Sequence, residues 1–75
     1  MSGDGTVTEL RIEVNGRRCT VSAGTTVAAV VAQWCDSPDG IAVARNGEVV
    51  PRSAWPTTDL DHDDHVEIVT AAAGG

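Results

Sequence analysis

Two Asn-Gly pairs constrain the fold of this chain more than any other feature of its sequence. They lie at positions 15–16 and 46–47. Asn-Gly is the dipeptide that best fits the two positive-φ positions of a tight hairpin turn. Before the first pair, residues 10–14 alternate apolar and charged side chains, which is the period of a strand with one solvated face. We therefore predict an N-terminal hairpin, with residues 17–21 as its returning strand.

The segment that follows this hairpin has the spacing of an amphipathic helix. Its large apolar residues stand at i, i+3, i+4 and i+7 and form a single stripe: Val27, Val30, Val31 and Trp34. Thr25 or Thr26 can cap the N-terminus, and the turn-forming residues 36–40 end the helix. We expect the stripe to pack on the apolar face of the hairpin.

Three further strands are predicted after the helix. Residues 41–44 are mostly apolar, as in a strand interior to a sheet. After the second Asn-Gly turn a short strand returns and ends at Pro51, because proline cannot donate a hydrogen bond to a neighbouring strand. A helical turn or tight loop then places Trp55 over one end of the core, and residues 65–69 alternate again as the last strand.

The hydrophobic positions of these elements predict one core between helix and sheet. With no Phe and no Tyr in the chain, aliphatic residues must build this core. The predicted members are Leu10, Ile12, Val14, Val21, Val27, Val30, Val31, Ile41, Val43, Val66 and Ile68. The fold class is α+β, with one main helix on one face of a small mixed sheet.

Length and charge restrict the function. Seventy-five residues allow one small domain, predicted over residues 7–70, with a disordered lead-in at 1–6 and a flexible tail at 71–75. The net charge of −6, with no lysine, argues against binding to nucleic acid or to an anionic membrane. No stretch approaches the ~20 apolar residues of a membrane span. We expect a cytoplasmic protein that is a monomer when free.

Neither the cysteines nor the histidines have the spacing of a strong metal motif. Cys19 and Cys35 form no CxxC pair, which favours two separate, at least half-buried thiols. His62 and His65 lie among carboxylates, and this leaves a metal site conceivable. Asp-rich turns are common for backbone hydrogen-bonding reasons alone, so we predict a turn here and no metal.

The tail, Ala-Ala-Ala-Gly-Gly, is the one segment with a reactive group and no side chain to shield it. Five extended residues reach roughly 16 Å, far enough to leave the surface of a small domain. The carboxylate of Gly75 could therefore enter a narrow active site of another protein. A frayed terminus without function is the simpler alternative for any chain that ends this way.

Several segments resemble one known family, the sulfur carrier proteins of thiamine biosynthesis (ThiS). The similar segments are residues 12–16, 24–27, 41–55 and 74–75, within a resemblance that covers roughly residues 9–75. The most specific part is the run Val-Pro-Arg-Ser-x-Trp that ends at Trp55. The family usually has an Asp-Gly-Asp turn before the last strand, where this chain has His62, Asp63 and Asp64.

This resemblance implies a β-grasp, ubiquitin-like fold and a carrier rather than an enzyme. In the family, an E1-like (ThiF-like) adenylyltransferase uses ATP to adenylate the terminal carboxylate, here Gly75. A sulfur donor such as a cysteine desulfurase then supplies sulfur to give a thiocarboxylate, which delivers it to thiazole synthase (ThiG). Gly74 and Ala73 would pass through the partner's active-site channel, and no cofactor would bind to the carrier itself.

Other readings share part of this pattern. A molybdopterin-synthase small subunit (MoaD-like) has the same tail chemistry, and a ubiquitin-like protein modifier or a plain interaction module would have a similar domain. For any of them we predict a partner surface on the sheet face away from the helix, at Ala42, Ala44 and Val69. Asn46, Arg52 and Trp55 are either contact residues or structural ones.

Overall fold

The computed structural model describes residues 9–37 and 39–70. These form five strands, one α-helix and one 3₁₀ helix in the predicted order. The elements are β1 (Glu9–Val14), β2 (Arg17–Ser22), α1 (Val27–Trp34), β3 (Ile41–Arg45), β4 (Glu48–Val50), the 3₁₀ helix Arg52–Thr57 and β5 (His65–Thr70). The predicted lead-in at 1–6 and the predicted tail at 71–75 lie outside the described residues. Within the described part, no helix is long and apolar enough to cross a membrane.

The strands form one mixed sheet in the order β2-β1-β5-β3-β4. Both hairpins are antiparallel, and β5 lies between them. It runs parallel to β1 and antiparallel to β3. The α-helix covers one face of this sheet, which confirms the predicted β-grasp architecture and the interior position of β3.

The two Asn-Gly turns have the geometry that their sequence predicts. Asn15 and Gly16 have φ of 52° and 81°, and Asn46 and Gly47 have φ of 51° and 84°. Two consecutive positive φ angles define the type I′ turn, whose twist matches that of the strands it joins. The turns fix the registers Val14↔Arg17 and Arg45↔Glu48 and so decide which side chains face the helix.

The helix begins and ends close to its predicted bounds. Thr26 is the N-cap, and its hydroxyl accepts a hydrogen bond from the Ala29 N–H at 3.2 Å. Val27, Val30 and Val31 are buried as predicted. Trp34 is not, because 39% of it remains exposed. It lies on the same side of α1 but is the last helical residue, and sequence spacing cannot show how far the core extends beneath a helix.

The core differs from the prediction at its margins. Seven predicted members are buried, whereas Leu10, Val21, Ile41 and Ile68 are half-buried and pack against them. Trp55 is buried, as predicted, and Leu60 is a buried residue that the sequence analysis missed. Leu60 lies in a loop without periodicity. Hydrogen bonds between the Leu60 N–H and the Thr25 carbonyl, and between the Val27 N–H and the Thr58 carbonyl, hold this loop against the start of α1.

Candidate functional site

The sheet face away from the helix carries a small apolar surface, which we call the outer patch. It consists of Ala42 and Ala44 of β3, Val49 of β4 and Val69 of β5. The register places Ala42 beside Val69 and Ala44 beside Val49, so the four side chains are neighbours across three strands. Val49 is 75% exposed and Val69 is 56% exposed. The two exposed valines flank the alanines of β3, and together they form a surface that a partner protein can cover.

Ala42, Ala44 and Val69 were predicted to lie on this face, and the structure places them there. Val49 was missed, although it belongs to the same patch. Its signal was available, because it alternates with the half-buried Val50 on a strand whose partner register follows from the second Asn-Gly turn. The edge position of β4 leaves Val49 the most exposed member.

The other half of the outer face is polar. Arg11 and Glu13 of β1 lie there with Arg18 of β2 and His65 of β5. His65 Nδ1 is 2.9 Å from a carboxylate oxygen of Glu13. Glu67 lies on β5 between the two halves, opposite Ala44. The outer patch therefore has an acidic neighbour on its own strand, and a covering surface would match it best with apolar groups beside basic ones.

The last described strand leads directly to the tail. β5 ends at Thr70, and Val69 of the outer patch is its penultimate residue. Ala73, Gly74 and Gly75, the residues predicted to enter a partner's active site, lie outside the described residues. The outer patch thus adjoins the point from which the tail continues.

Two asparagines of the hairpin turns hold β5 at both ends. Asn46 Oδ1 accepts a hydrogen bond from the His65 N–H at 2.9 Å, at the start of the strand. Asn15 Oδ1 accepts from the Ile68 N–H at 2.8 Å, and Asn15 Nδ2 donates to the Ile68 carbonyl at 3.1 Å. The sequence predicts these residues as turn formers only. Their contacts with β5 join positions that are distant in the chain, and sequence spacing gave no signal of them.

Asp64 is a buried carboxylate just before β5 that was not recognised from the sequence. It accepts hydrogen bonds from Arg45 Nε at 2.7 Å, Asn46 Nδ2 at 2.9 Å and the Asp61 N–H at 2.7 Å. Burial alone would raise the pKa of Asp64, but the hydrogen bonds from Asp61, Asn46 and Arg45 outweigh it and lower that pKa below its usual value. The hydrogen bond with Asp64 raises the pKa of Arg45. This network fixes the turn before β5.

The histidines lie in different surroundings. His62 Nδ1 accepts a hydrogen bond from the Arg11 N–H at 3.1 Å, whereas His65 faces Glu13. In the described part of the chain, no group of three or more His, Cys, Asp or Glu side chains is arranged to hold a metal ion. Both cysteines are half-buried free thiols.

The remaining candidates are explained mainly by structure. Trp55 is buried, and its Nε1 donates to the Val50 carbonyl at 2.9 Å, which fastens the 3₁₀ helix to β4. Asn46 belongs to the turn network. Arg52 is exposed and lies 3.5 Å from Asp39, a distance that gives a weak surface ion pair. Arg52 and Asn46 are exposed, whereas Trp55 is buried and therefore structural.

Comparison with known proteins agrees with this architecture. A solved structure of the thiamine biosynthesis protein ThiS from Geobacter metallireducens superposes with a TM-score of 0.75 at 29% sequence identity, covering 88% of this chain and all of that one. Thiazole synthases from Magnetococcus marinus and Paramagnetospirillum magneticum contain a similar segment of 66 residues, 33% and 32% identical. The match covers 88% of this chain but 20% of the length of each synthase. Residues 7–75 match the sequence model of the ThiS family. The chain therefore belongs to the ThiS family.

Proposed function

We propose that this protein carries sulfur as a thiocarboxylate on Gly75 and delivers it to thiazole synthase. The observation that carries the proposal is the family match over residues 7–75, which includes the Gly-Gly tail. A domain whose last strand leads into this tail suits the role, because the reactive group can be bound by a partner while the domain stays folded.

The carboxylate must be activated by another protein. A free carboxylate is a poor electrophile, so ATP is needed to convert it to an acyl-adenylate with release of pyrophosphate. A persulfide, formed from cysteine on the sulfur donor, then attacks the acyl-adenylate and displaces AMP to give an acyl disulfide. Two equivalents of a thiol reductant cleave that disulfide, which releases the thiocarboxylate and the donor thiol and leaves the reductant as its disulfide. The sequence has no phosphate-binding glycine loop, which supports activation by a partner. From the resemblance to the family, we assign the ATP chemistry to an E1-like (ThiF-like) adenylyltransferase and the sulfur supply to a donor such as a cysteine desulfurase.

The thiazole synthases that contain a similar segment support thiazole synthase as the acceptor. In those relatives, a sequence like that of this chain and the rest of the synthase belong to one polypeptide. A carrier and its acceptor that act on each other benefit from being joined, since linkage raises their effective concentration. We assign the carrier described here to the same class of acceptor.

The outer patch is the surface that we assign to the partners. Ala42, Ala44, Val49 and Val69 are exposed or half-buried, and Val69 lies next to the start of the tail. A partner that covers the patch would hold the domain while its channel receives Ala73, Gly74 and Gly75. Specificity must come from the surface around the tail, because a bare Ala-Ala-Ala-Gly-Gly segment has nothing to distinguish two channels.

The test compares two acceptors with one carrier. Purified thiocarboxylate protein is given either to thiazole synthase with its small substrates or to the large subunit of molybdopterin synthase with its precursor. We expect thiazole formation in the first reaction and much poorer turnover in the second. Preference for the molybdopterin acceptor would overturn the thiamine assignment and leave the sulfur-carrier chemistry intact.

A further inference from the structure

We infer that Asn15 is a positioning residue for docking, because its side chain holds the end of β5 and thereby keeps Val69 in the outer patch. The inference rests on the proposed function, since it concerns how partners recognise the carrier. It starts from the incomplete pairing of β5. The parallel register between β1 and β5 comprises two residue pairs, Glu13↔His65 and Val14↔Val66.

The β1–β2 turn removes backbone partners from the second half of β5. The Asn15 N–H donates to the Val66 carbonyl at 2.9 Å, and the chain then reverses at Gly16 toward β2. The next backbone groups of β5 on this edge belong to Ile68. The side-chain amide of Asn15 satisfies both of them, at 2.8 Å for the Ile68 N–H and 3.1 Å for its carbonyl. One side chain thus extends the ladder by one step.

The hydrogen bonds to Ile68 come immediately before Val69, the exposed patch residue of β5. β5 is held on its other edge by β3 as far as the pair Ile41↔Thr70. Without the Asn15 amide, the strand from Ile68 onward would depend on β3 alone, and strand ends with one paired edge fray more readily. Fraying would move Val69 out of the outer patch.

The expected consequence is weaker docking with unchanged chemistry. The reacting carboxylate of Gly75 is seven positions beyond Ile68, so loss of the Asn15 contacts leaves the adenylation step itself intact. An interaction that serves binding in both ground and transition states changes KM and not kcat. We expect KM for the carrier to rise about threefold to tenfold, since displacing one exposed valine and loosening the strand lose less than one hot-spot contact.

Asn15→Gly is the informative variant, and Asn46→Gly is its matched control. Glycine accepts the positive φ of both positions, so each change keeps the type I′ turn and removes one asparagine side chain. Both side chains bond to β5, but Asn46 does so at the start of the strand and not beside Val69, and its Nδ2 also donates to Asp64. Asn15→Asp keeps the acceptor for the Ile68 N–H and loses the donor to its carbonyl.

The experiment measures pyrophosphate release by the adenylating partner with ATP while the full-length carrier is varied, at a temperature where each variant is folded. We expect KM to rise in the order wild type, Asn15→Asp, Asn15→Gly, with kcat within about twofold and with Asn46→Gly close to wild type. Amide hydrogen exchange at Ile68 should accelerate in Asn15→Gly but not in Asn46→Gly. Equal KM values for the two glycine variants, or a fall in kcat alone, would overturn the inference. Absence of pyrophosphate release with the wild-type carrier would instead overturn the proposed function, and this inference with it.

Discussion

Arg45 and Asp64 form a hydrogen-bonded ion pair at the boundary of the core, with 2.7 Å between Arg45 Nε and Asp64 Oδ2. The Asp64 side chain is 6% exposed and that of Arg45 is 28% exposed. Asn46 and the Asp61 N–H complete the hydrogen bonds to the carboxylate. This pair joins the second hairpin to the turn before β5, which is the strand that leads into the tail.

The ion pair predicts how stability depends on pH. The pKa of Asp64 is lowered in the folded protein, so its contribution is fully present above the unfolded value of about 3.9 and is lost as the pH falls through that value toward the folded pKa. Asp64→Asn should cost about 1–3 kcal/mol at pH 7, because hydrogen bonds to a charged group are removed. The variant should also lose less stability than wild type between pH 5 and pH 3, as measured by urea unfolding. Equal slopes for the two proteins would show that Asp64 does not control acid stability.

The backbone conformation of Asp63 predicts that glycine at this position would stabilise the protein. Its φ of 69° lies in the left-handed region, at the position where the family usually has the glycine of its Asp-Gly-Asp turn. The turn therefore keeps its shape at the expense of strain in a non-glycine residue. Asp63→Gly should raise the free energy of unfolding by about 0.5–1 kcal/mol, and Asp63→Ala should lower it by about 1 kcal/mol. Thermal unfolding of both variants tests this, and destabilisation by glycine would contradict it.

Burial in the core predicts that truncating two different valines to alanine has different effects on stability. Val30 is 1% exposed beneath α1, whereas Val49 is 75% exposed on the outer face. Val30→Ala should destabilise the domain by about 1–4 kcal/mol, through lost burial and a residual cavity. Val49→Ala should stay within about 0.5 kcal/mol of wild type. Chemical denaturation measures both, and a similar loss in the two variants would mean that the sheet faces are assigned wrongly.

If the outer patch binds the partner, a charge introduced there should weaken binding more than it weakens folding. Val69→Asp should weaken binding to the adenylating partner by about tenfold or more, because a desolvated carboxylate would lie in the interface beside Glu67. Thr20→Asp is the control, since Thr20 is exposed on the polar half of the same face. Binding is measured by calorimetry and folding by thermal unfolding. Loss of binding in proportion to loss of stability, or equal loss in the control, would remove the patch from the interface.

Local sequence signals predicted most of this fold because they agree with one another. The Asn-Gly turns, the alternation of β1 and β5 and the valine stripe of α1 each require the same layered arrangement. The errors occurred where the structure depends on contacts between distant segments. Leu60 is buried by backbone hydrogen bonds to the start of α1, and Asp64 is buried because Arg45 and Asn46 converge on it.

The candidate site was predictable only in part for the same reason. Alternation placed Ala42, Ala44 and Val69 on the outer face, and the same rule would have found Val49. The contacts between Asn15 and Ile68 join positions 53 residues apart and were invisible in the sequence. The assignment of Gly75 as the sulfur-bearing residue comes from the family, because the tail has no pattern that specifies its chemistry.

The intact mass of the protein tests most directly whether Gly75 carries sulfur. The full-length chain is incubated with its adenylating partner, ATP, cysteine, a cysteine desulfurase and a thiol reductant, and a variant without Gly74 and Gly75 serves as the control. We predict that the wild-type mass rises by the difference between one sulfur and one oxygen atom, that fragmentation places the gain on Gly75, and that the gain requires ATP. The truncated variant should unfold at nearly the wild-type temperature and show no gain. A sulfur adduct on the truncated chain, or on Cys19 or Cys35 in place of Gly75, would contradict the proposed mechanism.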